Sequence, residues 1–569
     1  MAWLFYIPFW HTERFVNHLE KTSSVSVFEK NLCMNKQLLL GAEAIALGAL
    51  DAGISGVYAY PGTPSTEITE YIQKNSFLRE QPLRSAWSAN EKTAYEAALG
   101  MSYTGKRTLV CMKHVGLNVA ADAFINSAIT GVNGGLVVAV ADDPSMHSSQ
   151  NEQDSRVYGK FAMVPVVEPA SQQELYDATR YAFDLSEAVL LPVMLRLTTR
   201  LAHSRAGVEG KAVRLQNPLN ALYAPERFVL MPHNARRQYN NLLAMQERLE
   251  ELSELSTLNR LIPGTGRTGV LAFGIAFNSV MEVRQAFSLD LPVLKIGHYP
   301  LPRKQIEALF NSCDTILIAE EGYPVYEELL RGYFDLQNGK CIKGRLDGAL
   351  PRAGELNADS VALALGVTKQ EVMAIPKIMV NRPPELCKGC GHRDLYEALN
   401  TVMSLHEQHH VFSDIGCYTL GALPPYNAIH TCVDMGASIT MAKGAADGGL
   451  RPAVAVIGDS TFTHSGMTGL LDAINDRSPL TVIIADNDTT AMTGGQNSSA
   501  NGSKLQAICL GLGIEKTHLR TIIPLKSHLA ENIKVLSEEI AWDGVSVVIA
   551  VRECIETAAR KKRNPAANL

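Results

Sequence analysis

The chain is expected to fold as an α/β protein of three doubly wound domains, each built on a mainly parallel sheet. Three observations lead there. Short β-branched runs alternate with Ala- and Glu-rich helical stretches, and the runs are mostly apolar without polar alternation, as expected of strands covered on both faces. The alternation comes in three separated blocks. The length, 569 residues, suits domains of roughly 100–200 residues each. Hydrophobic residues make up 46% and charged residues 19%, a balance that excludes a disordered chain. A net charge of −6 and no long Lys/Arg run argue against nucleic acid as a partner. Ten cysteines, unevenly spaced, are too few for a disulfide scaffold, so reduced thiols and a cytoplasmic location are expected.

Taken in order, residues 1–33 read as an N-terminal extension without an element pattern. MAWLFYIPFW lacks a basic start and is interrupted by Pro8, so it is a poor signal peptide. No stretch of about 20 apolar residues exists to cross a membrane. Met34, which opens MNKQLLLGAEAIALGALDAG, is expected to be the natural start. The first domain, 34–215, carries strands at GVYAYPG (56–62), TLVCMKH (108–114), GLVVAVADD (135–143) and PVMLRLTTR (192–200), with a helix at NEKTAYEAALGMSY (90–103). A helical linker, 216–262, follows. Its Leu242, Met245, Leu249, Leu252 and Leu255 form one apolar stripe, expected to pack on its own chain. The second domain, 263–375, has strands at GVLAFG (269–274), PVLKIG (292–297) and TILIAEEG (315–322). The third, 376–558, has AVAVIGD (453–459), LTVIIADND (480–488) and VSVVIAVREC (545–554), and 559–569 is a solvated tail.

The third block holds the strongest chemical pattern. Gly458, Asp459 and Ser460 follow one strand, and Asp486 and Asn487 end the next. With one crossover helix (466–475) between parallel strands, Asp459 and Asn487 arrive at the same carboxyl edge. A carboxylate, an amide oxygen and a main-chain carbonyl suit magnesium, whose octahedral shell is completed by phosphate oxygens and water. TTAMTGGQ (489–496) is Gly- and Thr-rich, as close approach to a diphosphate requires. Asp459, Asn487 and Thr489 are therefore the candidate Mg²⁺ ligands, and Gly458, Ser460 and Met492 further cofactor contacts. The order resembles the G-D-x…N signature of thiamine diphosphate enzymes, with Ser460 in place of the usual second Gly. The plain alternative is ordinary turn residues at strand ends.

A thiamine enzyme also needs a carboxylate at N1′ of the aminopyrimidine, to promote the imino tautomer that takes the C2 proton. Glu91, opening a helix in Asn90-Glu91-Lys92-Thr93-Ala94, matches the pyrimidine-domain pattern and is assigned that catalytic role. A first-turn Glu favoured by the helix dipole is the structural alternative.

With both halves located, the chain resembles alpha subunits of the indolepyruvate ferredoxin oxidoreductase family, within the 2-oxoacid:ferredoxin oxidoreductases. The likeness spans about 36–558. It rests on YPGTPSTE (60–67), MKHVGLNVAADAF (112–124), HSSQNEQDSR (147–156), GCGHRDLYEAL (389–399), SDIGCYTLG (413–421), CVDMGASITMAKG (432–444) and GDSTFTHSGMTGLLDA (458–473). The resemblance implies a pyrimidine-binding thiamine domain first, a transketolase C-terminal-like domain next and a diphosphate-binding domain last. It also implies that Thr63 faces the substrate, its hydroxyl offered to the 2-oxoacid carboxylate. Lys113 and Arg156 are cationic candidates for the same carboxylate, each with an ordinary ion-pair role as the alternative. His464 is an acid–base candidate, with simple packing as the favoured alternative.

Cys387 and Cys390 form a C-x-x-C, which by itself fits half a zinc site, a redox pair or two loop thiols. Related oxidoreductases ligate one [4Fe–4S] cluster with such a pair and two further cysteines. The resemblance extends that set to Cys417 and Cys554. Cys33, Cys111, Cys313, Cys341, Cys432 and Cys509 are expected to be packing residues. The C-terminal ferredoxin-like domain of longer alpha subunits is not found in this sequence.

The implied activity is oxidative decarboxylation of aryl 2-oxoacids such as indolepyruvate to acyl-coenzyme A. Electrons would pass to ferredoxin or another carrier, and a smaller beta subunit would complete a hetero-oligomer. The rivals are a non-oxidative thiamine-dependent decarboxylase, which releases aldehyde, and a zinc-bound scaffold.

Overall fold

The computed structural model describes residues 36–76, 82–222, 224–333, 340–367, 378–379, 384–407 and 409–563. The N-terminal extension with Cys33 and Met34, most of the break at 368–383 and the last residues of the tail lie outside them. The chain divides into two compact units, residues 1–59, 63–86 and 95–370, and residues 60–62, 87–94 and 371–569.

In the first unit a seven-stranded sheet runs in the order His298–Tyr299, Val166–Val167, Val193–Thr198, Leu136–Asp142, Thr108–Lys113, Gly56–Ala59, Arg84–Trp87. The central pairs are parallel, with Thr108 opposite Leu136 and Val137 opposite Val193. Every residue of Thr108–Lys113, Leu136–Asp142 and Val193–Thr198 is buried, which is why these runs show no polar alternation. Helix Gln172–Val189 begins where the Ser171 hydroxyl accepts the Glu174 N–H at 3.2 Å, an N-cap worth about 1 kcal/mol. It ends at Leu190 in the left-handed region, φ 56°.

A five-stranded sheet in the same unit runs Cys341–Lys343, Thr315–Ala319, Thr268–Phe273, Val293–Ile296, Arg260–Ile262, with only the last strand antiparallel. Just past Val293–Ile296 the chain pairs His298–Tyr299 antiparallel with Val166–Val167, so it extends the edge of the seven-stranded sheet. Helix Pro232–Glu254 buries Leu242 and Leu249, and its Gln246 side chain donates to the Met163 carbonyl at 3.1 Å. It packs on its own chain as expected, but Leu255 is 79% exposed. That residue caps the helix end, where the stripe no longer has a partner.

The second unit carries a six-stranded sheet, all parallel, ordered Thr431–Cys432, His410–Ser413, Ala453–Gly458, Leu480–Asp486, Val545–Val551, Leu519–Ile522. One face packs Val454, Val456, Ile483 and Val548 against Leu395, Leu399 and Leu536. The other packs Ala455, Ile457, Val482 and Ile484 against Ile439, Leu470 and Leu505. Each such buried Val, Leu or Ile side chain contributes about 1.5–3 kcal/mol. Three α/β sheets thus match the three blocks of the sequence. Among the described residues no helix is long and apolar enough to cross a membrane.

Candidate active site

In the second unit, strand Ala453–Gly458 lies parallel to Leu480–Asp486 with Gly458 opposite Ala485. Asp459 and Asp486 therefore leave the sheet side by side, followed by Asn487. A Cβ on Gly458 would lie 2.6 Å from the Tyr418 ring, so the close approach requires glycine. Asp459 then opens a helical turn, Asp459–Thr461, a π-helical turn, Phe462–Gly466, and helix Met467–Asp476.

Asp459 is 2% exposed, and its Oδ2 has no hydrogen-bond partner. Burial, then the neighbouring Asp486 carboxylate, pushes its pKa up to about 8, opposed by hydrogen bonds from the Ser460 backbone and the Ser498 side chain. A buried carboxylate oxygen without a donor suits a cation, which satisfies the oxygen and removes the desolvation penalty. Asn487 Oδ1 accepts the Thr489 N–H at 3.2 Å. The loop after it closes as the Thr490 N–H and the Thr489 hydroxyl bond the Gln496 carbonyl at 2.8 and 3.0 Å. Gly494 and Gly495, at φ 125° and 85°, make the turn that β-carbon-bearing residues resist. Met492 is 59% exposed on the short turn Ala491–Thr493. Ser460, where the signature has glycine, is bonded to the Tyr60 hydroxyl and the Thr490 hydroxyl at 2.9 Å each.

Glu91 opens helix Glu91–Tyr103 and is 5% exposed. Its Oε2 lies 2.8 Å from His464 Nε2. His464 is 4% exposed, its Nδ1 is 2.6 Å from the Ser465 hydroxyl, and the Tyr60 ring meets it edge-on with centroids 4.8 Å apart. Both of its ring nitrogens are thus within hydrogen-bond distance of a polar side chain. Asp414, which sequence reasoning passed over, is buried and accepts from Ser438, Tyr418 and the Gly436 N–H. Burial, partly offset by these bonds, pushes its pKa up to about 6. Its place in SDIGCYTLG was the available clue.

The side chains of Cys387, Cys390, Cys417 and Cys554 line one cavity of about 140 Å³, together with His392, Asn487, Arg552 and Arg560. Burial, then the other three thiols, pushes Cys417 up to about 12, and burial raises Cys390. The Cys554 N–H donates to the Asn487 carbonyl at 3.0 Å, tying the cavity to the strand end that bears the candidate metal ligand. Among the described residues no group of three or more His, Cys, Asp or Glu is gathered at ion-holding distance. Of the remaining cysteines, Cys111, Cys313 and Cys509 are buried as expected. Cys341 and Cys432 are exposed, because each sits on an outermost strand of its sheet.

In the first unit Thr63 precedes a cis peptide to Pro64. Its carbonyl accepts the Ser148 hydroxyl at 3.4 Å, and Lys113 Nζ donates to that hydroxyl at 3.0 Å. Burial lowers the Lys113 pKa to about 8, with Asp143 opposing. Lys113 and Thr63 are thus brought together. Arg156 is not available to a substrate: it is fully buried, bonded to Asp154 at 2.5 Å and paired with Glu320 at 3.1 Å. A guanidinium so enclosed by carboxylates serves the packing of its own unit.

Comparison with known proteins agrees with this architecture. The thiamine diphosphate-binding domain of pyruvate flavodoxin/ferredoxin oxidoreductases matches residues 47–245, and the C-terminal TPP-binding domain of thiamine pyrophosphate enzymes matches 414–516. Indolepyruvate oxidoreductase subunit IorA of Methanothermobacter thermautotrophicus is 37% identical over 565 residues, covering 94% of this chain and 89% of the relative. That of Archaeoglobus fulgidus is 37% identical over 555 residues, covering 93% and 88%. The chain belongs to the indolepyruvate oxidoreductase IorA family. As a member it is an oxidoreductase subunit of the 2-oxoacid:ferredoxin type, working by thiamine diphosphate-dependent oxidative decarboxylation. The family does not favour the non-oxidative alternative. A solved 2-oxoglutarate:ferredoxin oxidoreductase from Magnetococcus marinus aligns with a TM-score of 0.46 at 15% identity, covering 58% of this chain and 66% of that one.

Proposed function

We propose that this chain is the thiamine-bearing subunit of a cytoplasmic enzyme that oxidatively decarboxylates aryl 2-oxoacids of the indolepyruvate kind. It yields acyl-coenzyme A, and its electrons leave for ferredoxin or another carrier. A smaller beta subunit completes the hetero-oligomer. The observation that carries this reading is the joining of Glu91 to His464, in the helical segment that Asp459 opens. A carboxylate for the aminopyrimidine and a carboxylate for the diphosphate's metal so belong to one compact unit.

When bound, thiamine diphosphate supplies the carbon nucleophile and the electron sink for decarboxylation. The residues do the rest. Glu91 hydrogen-bonds N1′ and holds the proton that sets the pyrimidine tautomer. Asp459, Asn487 and Thr489 hold Mg²⁺, which anchors the diphosphate, and Gly458, Ser460 and Met492 border it. The orphaned Asp459 Oδ2 and the hard-oxygen donor set fit that ion. Cys387, Cys390, Cys417 and Cys554 hold one [4Fe–4S] cluster, a role for which four thiols around one cavity are the right donor set. Thr63 and Lys113 receive the substrate carboxylate. By this reading 34–215, 263–375 and 376–558 are the pyrimidine, transketolase C-terminal-like and diphosphate domains.

The test is an anaerobic assay of the protein purified with its partner subunit, given indolepyruvate, coenzyme A and a viologen dye. Dye reduction that depends on coenzyme A is expected. Aldehyde release without dye reduction would overturn the proposal.

A further inference from the structure

Four observations converge on one side chain that the proposed chemistry leaves without a task. His464 lies in a π-helical turn, Phe462–Gly466, between the strand-end turn and helix Met467–Asp476. One extra residue per turn shifts the side chains that follow, and such turns cluster at functional sites because they aim a side chain the regular helix would not. The ring of His464 is buried, and both of its nitrogens are engaged, Nε2 by Glu91 Oε2 at 2.8 Å and Nδ1 by the Ser465 hydroxyl at 2.6 Å. The Asn90 side-chain amide, adjacent in sequence to Glu91, donates to the His464 carbonyl at 2.9 Å. The Tyr60 ring closes on the imidazole at an interplanar angle of 69°, and the Tyr60 hydroxyl is itself fixed by Ser460. The imidazole has little freedom to move without breaking one of these contacts.

We propose that His464 is a positioning residue for Glu91. The Ser465 hydroxyl donates to Nδ1, which puts the ring proton on Nε2, and Nε2–H donates to Glu91 Oε2. The tautomer is set by the bond made at the other nitrogen. Glu91 is thereby held with Oε1 as the oxygen presented to N1′. A carboxylate held by a donor on one oxygen keeps one rotamer and one basic face, much as outer partners orient the ligands of a metal. This inference rests on the role proposed for Glu91 and goes beyond it, naming the residue that keeps the carboxylate aimed.

The experiment measures hydrogen–deuterium exchange at C2 of bound thiamine diphosphate, by acid quench and proton NMR, in the full-length protein with Mg²⁺. It compares the wild type with Glu91→Gln, His464→Phe and His464→Gln. The Phe variant keeps a ring and loses the donor, whereas Gln keeps an N–H near the position of Nε2. His464→Phe is expected to slow exchange about 10–100-fold, the usual loss when an outer orienting partner is removed. Its affinity for the cofactor should stay near that of the wild type, and His464→Gln should recover most of the rate. Wild-type exchange in His464→Phe, with slow exchange in Glu91→Gln, would overturn the inference and leave the Glu91 role standing. Equally slow exchange in the Phe and Gln variants would overturn it in favour of packing alone. Wild-type exchange in Glu91→Gln would remove the Glu91 reading and this inference with it.

Discussion

Asp459 offers the sharpest quantitative expectation. Its carboxyl is 2% exposed, beside Asp486, with a pKa near 8. Without a metal it is therefore mostly protonated at neutral pH, and in the proposed role Mg²⁺ would have to displace that proton. From a pKa of about 8, each ion bound should release about 0.9 proton at pH 7 and about 0.1 at pH 9. Affinity should rise about tenfold from pH 6 to pH 7 and level off above about pH 8. The metal-free protein has its own pH dependence. A raised carboxylate pKa means that the folded state binds more protons than the unfolded state between about pH 4 and pH 8, so this group's contribution falls as pH rises across that window. The slope is about 1.4 kcal/mol per pH unit, and Mg²⁺ should cancel it. Calorimetric titration of Mg²⁺ with thiamine diphosphate, in buffers of different ionisation enthalpy, reads the proton count. Asp459→Asn should lose both the proton release and tight Mg²⁺ binding. No proton release at pH 7, or an affinity flat from pH 6 to pH 8, would refute the argument.

Other substitutions separate structural from chemical roles. Arg156→Leu removes the ion-pair partner of buried Glu320 and leaves Asp154 with only Arg196, at 3.7 Å, and should cost about 3–5 kcal/mol, read by denaturant unfolding of the first unit. Its KM for the 2-oxoacid should be unchanged in the folded fraction. Cys387→Ser or Cys554→Ser should lower anaerobic iron content from about four per chain towards zero, with loss of the visible charge-transfer band. Thr63→Val should raise KM for the 2-oxoacid about tenfold, as for one hydrogen bond to a charged group, with kcat changed less; steady-state kinetics decide it.

Much of this molecule is legible along the chain because its strands are covered on both faces. Unbroken apolar runs such as Ala453–Ile457 and Val482–Ala485 bound the sheets without ambiguity, and polar residues such as Asp459 and Asn487 stand where those runs stop. What periodicity does not carry is pairing over distance. Nothing in the spacing joins Glu91 to His464 or Tyr60 to Ser460, since each link depends on how distant segments pack. The same limit explains Arg156. Its motif suggests a substrate contact, but Glu320, whose carboxylate pairs with it, and Glu321, whose carbonyl accepts from it, follow a strand of the other sheet. Short edge pieces, Val166–Val167 and Thr431–Cys432 among them, are too brief to show a period. They are also where the expectation of buried cysteines failed.

The small strand His298–Tyr299 bears on how this chain can be taken apart. It belongs by sequence to the five-stranded sheet's segment yet forms the outermost strand of the seven-stranded sheet. A fragment cut near residue 263 would lose that strand and bare the backbone donors and acceptors of Val166–Val167. An uncovered sheet edge recruits other chains. Modular exchange of the two halves between relatives should therefore yield sticky, poorly soluble chimeras unless the junction is moved beyond Tyr299, so that the guest strand travels with its host.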